Sequence, residues 1–165
     1  MSKLLAARTA QYGLTQEFVF NWNNWVIDSA DGAKKTLGST VALSTDPAEV
    51  LLTGPVANTI TFDGGNLPPG AVLTGGAVIV ETAYAGSTAA TVSVGIAGSL
   101  TALASAVDIK TVARTALTLT SPLLCNTGQS VRMTIAYTVA NATAGKVRVR
   151  LDYTVDGRAN EVQAT

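Results

Sequence analysis

The stretch Val131-Arg132-Met133-Thr134-Ile135-Ala136-Tyr137-Thr138-Val139, followed after a short connection by Val147-Arg148-Val149-Arg150-Leu151-Asp152-Tyr153-Thr154-Val155, decides the fold class. In the first run Val131, Met133, Ile135, Tyr137 and Val139 share one parity, and Arg132, Thr134, Ala136 and Thr138 share the other. In the second, Val147, Val149, Leu151, Tyr153 and Val155 alternate with Lys146, Arg148, Arg150, Asp152 and Thr154. A period of two is the signature of a half-buried strand, with one face in the core and one in solvent. The connector Asn141-Ala142-Thr143-Ala144-Gly145 is polar and ends in glycine, so the two strands are expected to pair as an antiparallel hairpin.

Working upstream, Ala71 to Tyr84 reads as a strand with Val78, Val80 and Thr82 on one face and Ile79 and Glu81 on the other. Gly75-Gly76 inside it predicts a bulge or a close backbone approach. Ala85-Gly86-Ser87 is a turn, and Thr88 to Ile96 the next strand, with Val92, Val94 and Ile96 facing together. Leu100, Leu103, Ala104 and Val107 have helical spacing, which predicts a short helix or 3₁₀ segment. Thr111 to Thr120 is β-branched and reads as a strand broken by Ser121-Pro122. Val56 to Phe62 is a strand leading into loop chemistry at Asp63-Gly64-Gly65-Asn66 and Leu67-Pro68-Pro69-Gly70. Strands near ten residues apart, separated by Gly, Pro and Asn turns, give an all-β antiparallel sandwich or jelly roll with an N-terminal extended arm.

Residues 1–55 differ in character from the sandwich of 56–165. Phe18, Phe20 and Trp22 alternate beside Asn21, Asn23 and Asn24, and Trp25-Val26-Ile27 follows. Two readings stand. The segment is a first strand with its aromatics in the core, or an arm that lays Tyr12, Phe18, Phe20, Trp22 and Trp25 on a partner, since large aromatics are favoured interface anchors. Asp28 to Lys35 reads as an exposed loop; Asp28, Asp31 and Gly32 lack the remaining ligands of a calcium loop.

Composition limits the function. Charged residues are 13% of 165, with 11 basic against 11 acidic, about half the share usual in soluble domains. Such a surface has little electrostatic protection against association and suits a protein that is covered by, or coats, something larger. A neutral balance argues against nucleic acid, whose phosphates need clustered Lys and Arg; Lys146, Arg148 and Arg150 read equally as a solvated strand face. The sequence contains no histidine, the usual general base and commonest metal ligand. With one cysteine, Cys125, ordinary zinc sites and intrachain disulfides are excluded, and the thiol is expected to be a small buried hydrophobe. Asp63, Glu81, Asp152 and Asp156 are carboxylates with no motif joining them. No catalytic residue, cofactor or metal is therefore expected. Met1 to Arg8 begins like a signal peptide but is interrupted by Arg8 and Gln11, and no run approaches the ~20 apolar residues of a membrane helix. Synthesis in a reducing cytoplasm without a membrane anchor is expected.

Leu67-Pro68-Pro69-Gly70-Ala71-Val72-Leu73, then Gly76-Ala77-Val78-Ile79-Val80-Glu81-Thr82-Ala83-Tyr84, resembles small virion proteins of tailed bacteriophages. So do Ala90-Thr91-Val92-Ser93-Val94-Gly95 and Thr143-Ala144-Gly145-Lys146-Val147-Arg148-Val149; the resemblance spans roughly residues 56–160. It implies a jelly-roll head decoration, or cement, protein. Such a protein would bind the major capsid protein on the outside of the head as a homotrimer, made in the host cytoplasm and carrying no catalytic residues. A tail-associated adaptor or fibre module is the alternative placement. A carbohydrate-binding or hydrolytic sandwich, which would need exposed aromatics beside carboxylates, is the competing class.

Overall fold

The computed structural model describes residues 13–27, 34–38, 59–119, 123–125, 128–138 and 141–155. Every regular element among them is a β-strand: β1 (Leu14–Asn21), β2 (Trp25–Ile27), β3 (Lys34–Thr36), β4 (Thr59–Leu67), β5 (Ala71–Ala85), β6 (Ala89–Ile96), β7 (Ser99–Asp108), β8 (Arg114–Ala116), β9 (Leu123–Cys125), β10 (Gln129–Thr138) and β11 (Ala144–Val155). They form a β-sandwich of two antiparallel sheets. The first has the order β1-β11-β5-β8, with β9 also on β5; the second has the order β4-β10-β6-β7. β2 and β3 pair only with each other among the described residues. The readings made at Met1–Arg8, Tyr12, residues 28–33 of the Asp28–Lys35 loop, residues 56–58, Ser121-Pro122, Val139 and Asp156, and at the side chain of Cys125, lie outside what the structure describes, while Lys34 and Lys35, read as loop, belong to β3.

The alternation in β10 and β11 is present as read. Val131, Met133, Ile135 and Tyr137 of β10, and Val147, Val149 and Leu151 of β11, are buried in one hydrophobic cluster. The expected hairpin between them is not formed. β10 sits between β4 and β6, and β11 between β1 and β5, so the chain from Thr138 to Ala144 passes from one sheet to the other. The physical reason is that each strand exposes two hydrogen-bonding edges, and here both edges of each are taken by strands distant in sequence. Alternation reports which face is buried and says nothing of which strand lies beside it.

Three further expectations are corrected. Residues 100–107 are not helical but belong to β7. Along β6 and β7 the register shifts twice: Val92 pairs with Val107, Val94 with Ala104 and Ile96 with Ser99. Each bulge adds residues on the β7 side and throws the inward positions from a spacing of two to three or more. Leu103, Ala104 and Val107 are thus core-facing positions of a bulged strand whose spacing imitates a helix, while Leu100 is half-buried outside the core cluster. Asp63 to Leu67 is not loop but the continuation of β4, bulged where β10 passes from Val131 to Arg132. A Cβ on Gly65 would stand 3.0 Å from Phe18 Cε1, and one on Gly64 would run into Met133 Cε, so both glycines leave room for core side chains. The strand read at Thr111–Thr120 shrinks to Arg114–Ala116.

Gly75-Gly76 answers both of its expectations. The β5–β11 register slips between Asp152 and Tyr153, leaving Thr74 as the extra residue. Its hydroxyl donates to the Asp152 carbonyl at 3.0 Å. Gly76, at φ +153°, lies against the Arg150 carbonyl, and a Cβ there would also come within 2.6 Å of Leu117 Cδ1. Gly76→Ala is therefore expected to lower stability by about 1–3 kcal/mol through overpacking between the two central strands of the sheet. Gly13→Ala, with open space around it, stays within about 0.5 kcal/mol of the parent. Urea unfolding midpoints measure both; equal midpoints would contradict the close approach.

Candidate interaction surface

Strand β1 divides its residues by parity. Gln16, Phe18 and Phe20 turn inward; Thr15, Glu17 and Val19 turn out. Phe20 is buried and meets Phe62 edge to face, with centroids 5.4 Å apart and ring planes at 79°. Phe18 packs against the same cluster. The first-strand reading thus holds for Leu14–Asn21, which pairs with β11 over its whole length without a register shift. Phe18 and Phe20 are taken up by the interior of this chain.

Beyond Asn21 the strand turns. Asn21 N–H donates to Asn24 Oδ1 at 2.6 Å, and Asn24 N–H donates back to the Asn21 carbonyl at 3.1 Å. Asparagine side chains that bond nearby backbone stabilise such turns. Trp22 has the parity of Phe18 and Phe20, but the turn carries it past the end of the core. The result is a run of exposed apolar side chains: Val19 at 48%, Trp22 at 36%, Trp25 at 52% and Ile27 at 62% accessibility. Among the described residues the one other large hydrophobe so exposed is Val112. Val19 and Ile27 were not singled out from the sequence. For Val19 the signal was available, since it shares parity with Glu17. Lys34 Nζ stands 4.2 Å over the Trp25 ring, a cation–π contact that covers one face of the indole.

Along the outer face of the first sheet, next to this run, the charges are paired among themselves. Arg148 donates from Nε to Glu81 Oε1 at 2.7 Å and from Nη1 to Glu17 Oε2 at 3.0 Å. Lys146 Nζ lies 2.7 Å from Glu81 Oε2. Arg150 Nε donates to Asp152 Oδ1 at 2.9 Å, and Thr15 Oγ1 donates to the same oxygen at 2.9 Å. The ladder ties edge strand β1 to β11 and β5. The hydrogen bonds from Lys146 and Arg148 hold the Glu81 carboxyl below its ordinary value. Asp152 is likewise lowered, chiefly by Arg150. On the other sheet Arg132 Nε lies 2.5 Å from Asp63 Oδ1. The sequence-selected carboxylates Asp63, Glu81 and Asp152 are therefore each bound to a cation and divided between two sheets. Among the described residues no group of three or more His, Cys, Asp or Glu is placed to hold a metal ion. No helix among them is long and apolar enough to cross a membrane.

Because its folded value is depressed, Glu81 contributes stability above the unfolded carboxylate value that is lost as pH falls through the folded one. NMR titration is expected to place Glu81 below 4.5 in the parent and to return it towards that value in Arg148→Ala. An unshifted Glu81 in the parent would remove the ladder.

No family model matches the chain, and comparison with curated proteins gives no match. Among solved structures it is similar to a chain of the "Cyanophage Pam1 capsid asymmetric unit", with a TM-score of 0.55 and 18% sequence identity. The likeness covers 93% of this chain and 94% of that one, and establishes a shared fold from end to end.

Proposed function

We propose that this chain is a virion structural protein of a tailed bacteriophage, a decoration protein of jelly-roll type. In this reading it binds the outside of the head as a homotrimer and stabilises contacts between major capsid subunits. The observation that carries the reading is the end-to-end likeness of fold to a chain of a phage capsid asymmetric unit. The sequence resemblance over roughly residues 56–160 and the charge-poor composition support it from an independent side. A protein that binds the assembled shell and not its free subunits stabilises the shell by mass action, and repetition over the array makes modest single contacts sufficient.

The surface offered to the shell is the run Val19, Trp22, Trp25 and Ile27. It combines large rings with low rotamer entropy, the usual anchors of an interface. The reading assigns no catalytic step. The sequence has no histidine. Glu81 and Asp152 are kept ionised by Lys and Arg, the reverse of what a carboxylic general acid needs at neutral pH.

The test is reconstitution on heads that lack this chain. The purified protein is expected to scatter light as a trimer, to co-sediment saturably with such heads in high copy number, and to raise their melting temperature. Trp25→Ala combined with Ile27→Ala should weaken binding about tenfold or more, with the unfolding midpoint of the free protein unchanged. Absence of binding, or density for only a few copies at the tail, would overturn the proposal.

A further inference from the structure

Among the described residues the β2–β3 pair adds to neither sheet of the sandwich, and a lone two-stranded ribbon is marginal in water. Its order must come from elsewhere. The structure shows where. Leu37, directly after β3, is buried at 2% accessibility. Its N–H donates to the Asn24 carbonyl at 2.7 Å, and its carbonyl accepts a hydrogen bond from the Tyr137 hydroxyl of β10, one hundred residues away in sequence. Ala142 N–H donates to the Gly38 carbonyl at 2.7 Å. Gly38 is closed in from both sides: a Cβ there would lie 2.7 Å from the Trp22 carbonyl and 3.3 Å from Ala142 Cβ. At the ribbon's other root, Trp22 N–H donates to the Gly145 carbonyl at 3.1 Å.

We infer that Tyr137 and the Leu37–Gly38 step form a latch that fixes the β2–β3 ribbon against the end of the sandwich and so holds Trp22, Trp25 and Ile27 in one presented shape. Tyr137 suits the role. Its ring is buried and stacks on Tyr84, with centroids 6.0 Å apart, so the hydroxyl is aimed by the core itself. Burial pushes the hydroxyl above its ordinary ionisation range, and it remains a donor wherever the protein is folded near neutrality. A pre-shaped surface binds without the ordering cost that a loose ribbon would add. Tyr137 is thus a positioning residue for a surface it does not itself join. The use of that surface rests on the function proposed above; the latch does not.

Tyr137→Phe removes the donor and keeps the ring stack. Amide exchange at Trp25–Ile27 and Lys34–Thr36 is expected to accelerate about tenfold, as for the loss of one buried hydrogen bond. Tryptophan emission should shift to the red with greater acrylamide quenching, while β10 and β11 amides keep their protection. Gly38→Ala should loosen the ribbon from the other side and gives the reading if Tyr137→Phe fails to fold. Unchanged exchange and emission in either folded variant would overturn the latch. Capsid binding separates the two claims. If the ribbon loosens while head binding survives both the latch variants and loss of Trp25 and Ile27, the latch stands and the proposed surface falls. If the tryptophan variant loses binding while the ribbon never loosens, the latch alone is wrong.

Discussion

The structure depends on two central strands, β10 and β11, each in the middle of its own sheet and each sending every second residue into one shared interior. Seven of those residues, Val131, Met133, Ile135, Tyr137, Val147, Val149 and Leu151, are buried in it. A fully buried Val, Leu, Ile or Met is worth roughly 1.5–3 kcal/mol over an exposed one, so these two rows are a large share of what opposes chain entropy. The other strands take their places around them. β4 and β6 flank β10, β1 and β5 flank β11, and Phe18 and Phe20 close the side next to β4. The outward parity is left free for Arg148, Arg150 and Asp152, and the ion ladder that fastens the edge follows from the same period of two.

How far this was legible depended on whether a feature was local. Parity is local, and the buried rows Val78 and Val80 of β5, Val92 and Val94 of β6, and those of β10 and β11 could be read from it, though Thr82, read as sharing the Val78–Val80 face, is exposed where the β5–β11 register shifts. Pairing is not local. The polar connector at Asn141–Gly145 suits a hairpin and a sheet-to-sheet crossing equally, and only the competition from distant strands decides. Bulges lie between these cases. Leu103, Ala104 and Val107 carry a true signal of burial with a misleading period, because the extra residues in β7 exist only relative to β6. Gly64-Gly65 misled in the opposite direction: the pair reads as a turn in isolation, yet its glycines make room for Met133 and for the ring of Phe18, both distant in sequence.

The N-terminal aromatics show the same limit. Phe18, Phe20 and Trp22 form one alternating series in the sequence, and the structure splits it at the reciprocal Asn21–Asn24 turn. The first two belong to the core and the third to the surface. The turn was visible in its asparagines, but where the core ends was not, since that is set by the length of β11 beside it. The Leu37–Gly38 step was invisible for a similar reason: nothing in Leu-Gly announces a hydroxyl arriving from β10.

The interruptions in β7 carry a last consequence. A charge-poor chain built of strands risks open-ended growth, each copy extending the sheet of the one before. β7 is bulged twice, with Ala106 at φ +47°; β8 and β9 are three residues each; β4 is kinked at its glycines. Among the described border strands of the two sheets β1 is the long one whose ladder is unbroken, running eight residues, while the unshifted pairings of β8 and β9 on β5 are three residues each. The described strands thus offer few long, straight edges on which a second copy could extend a sheet.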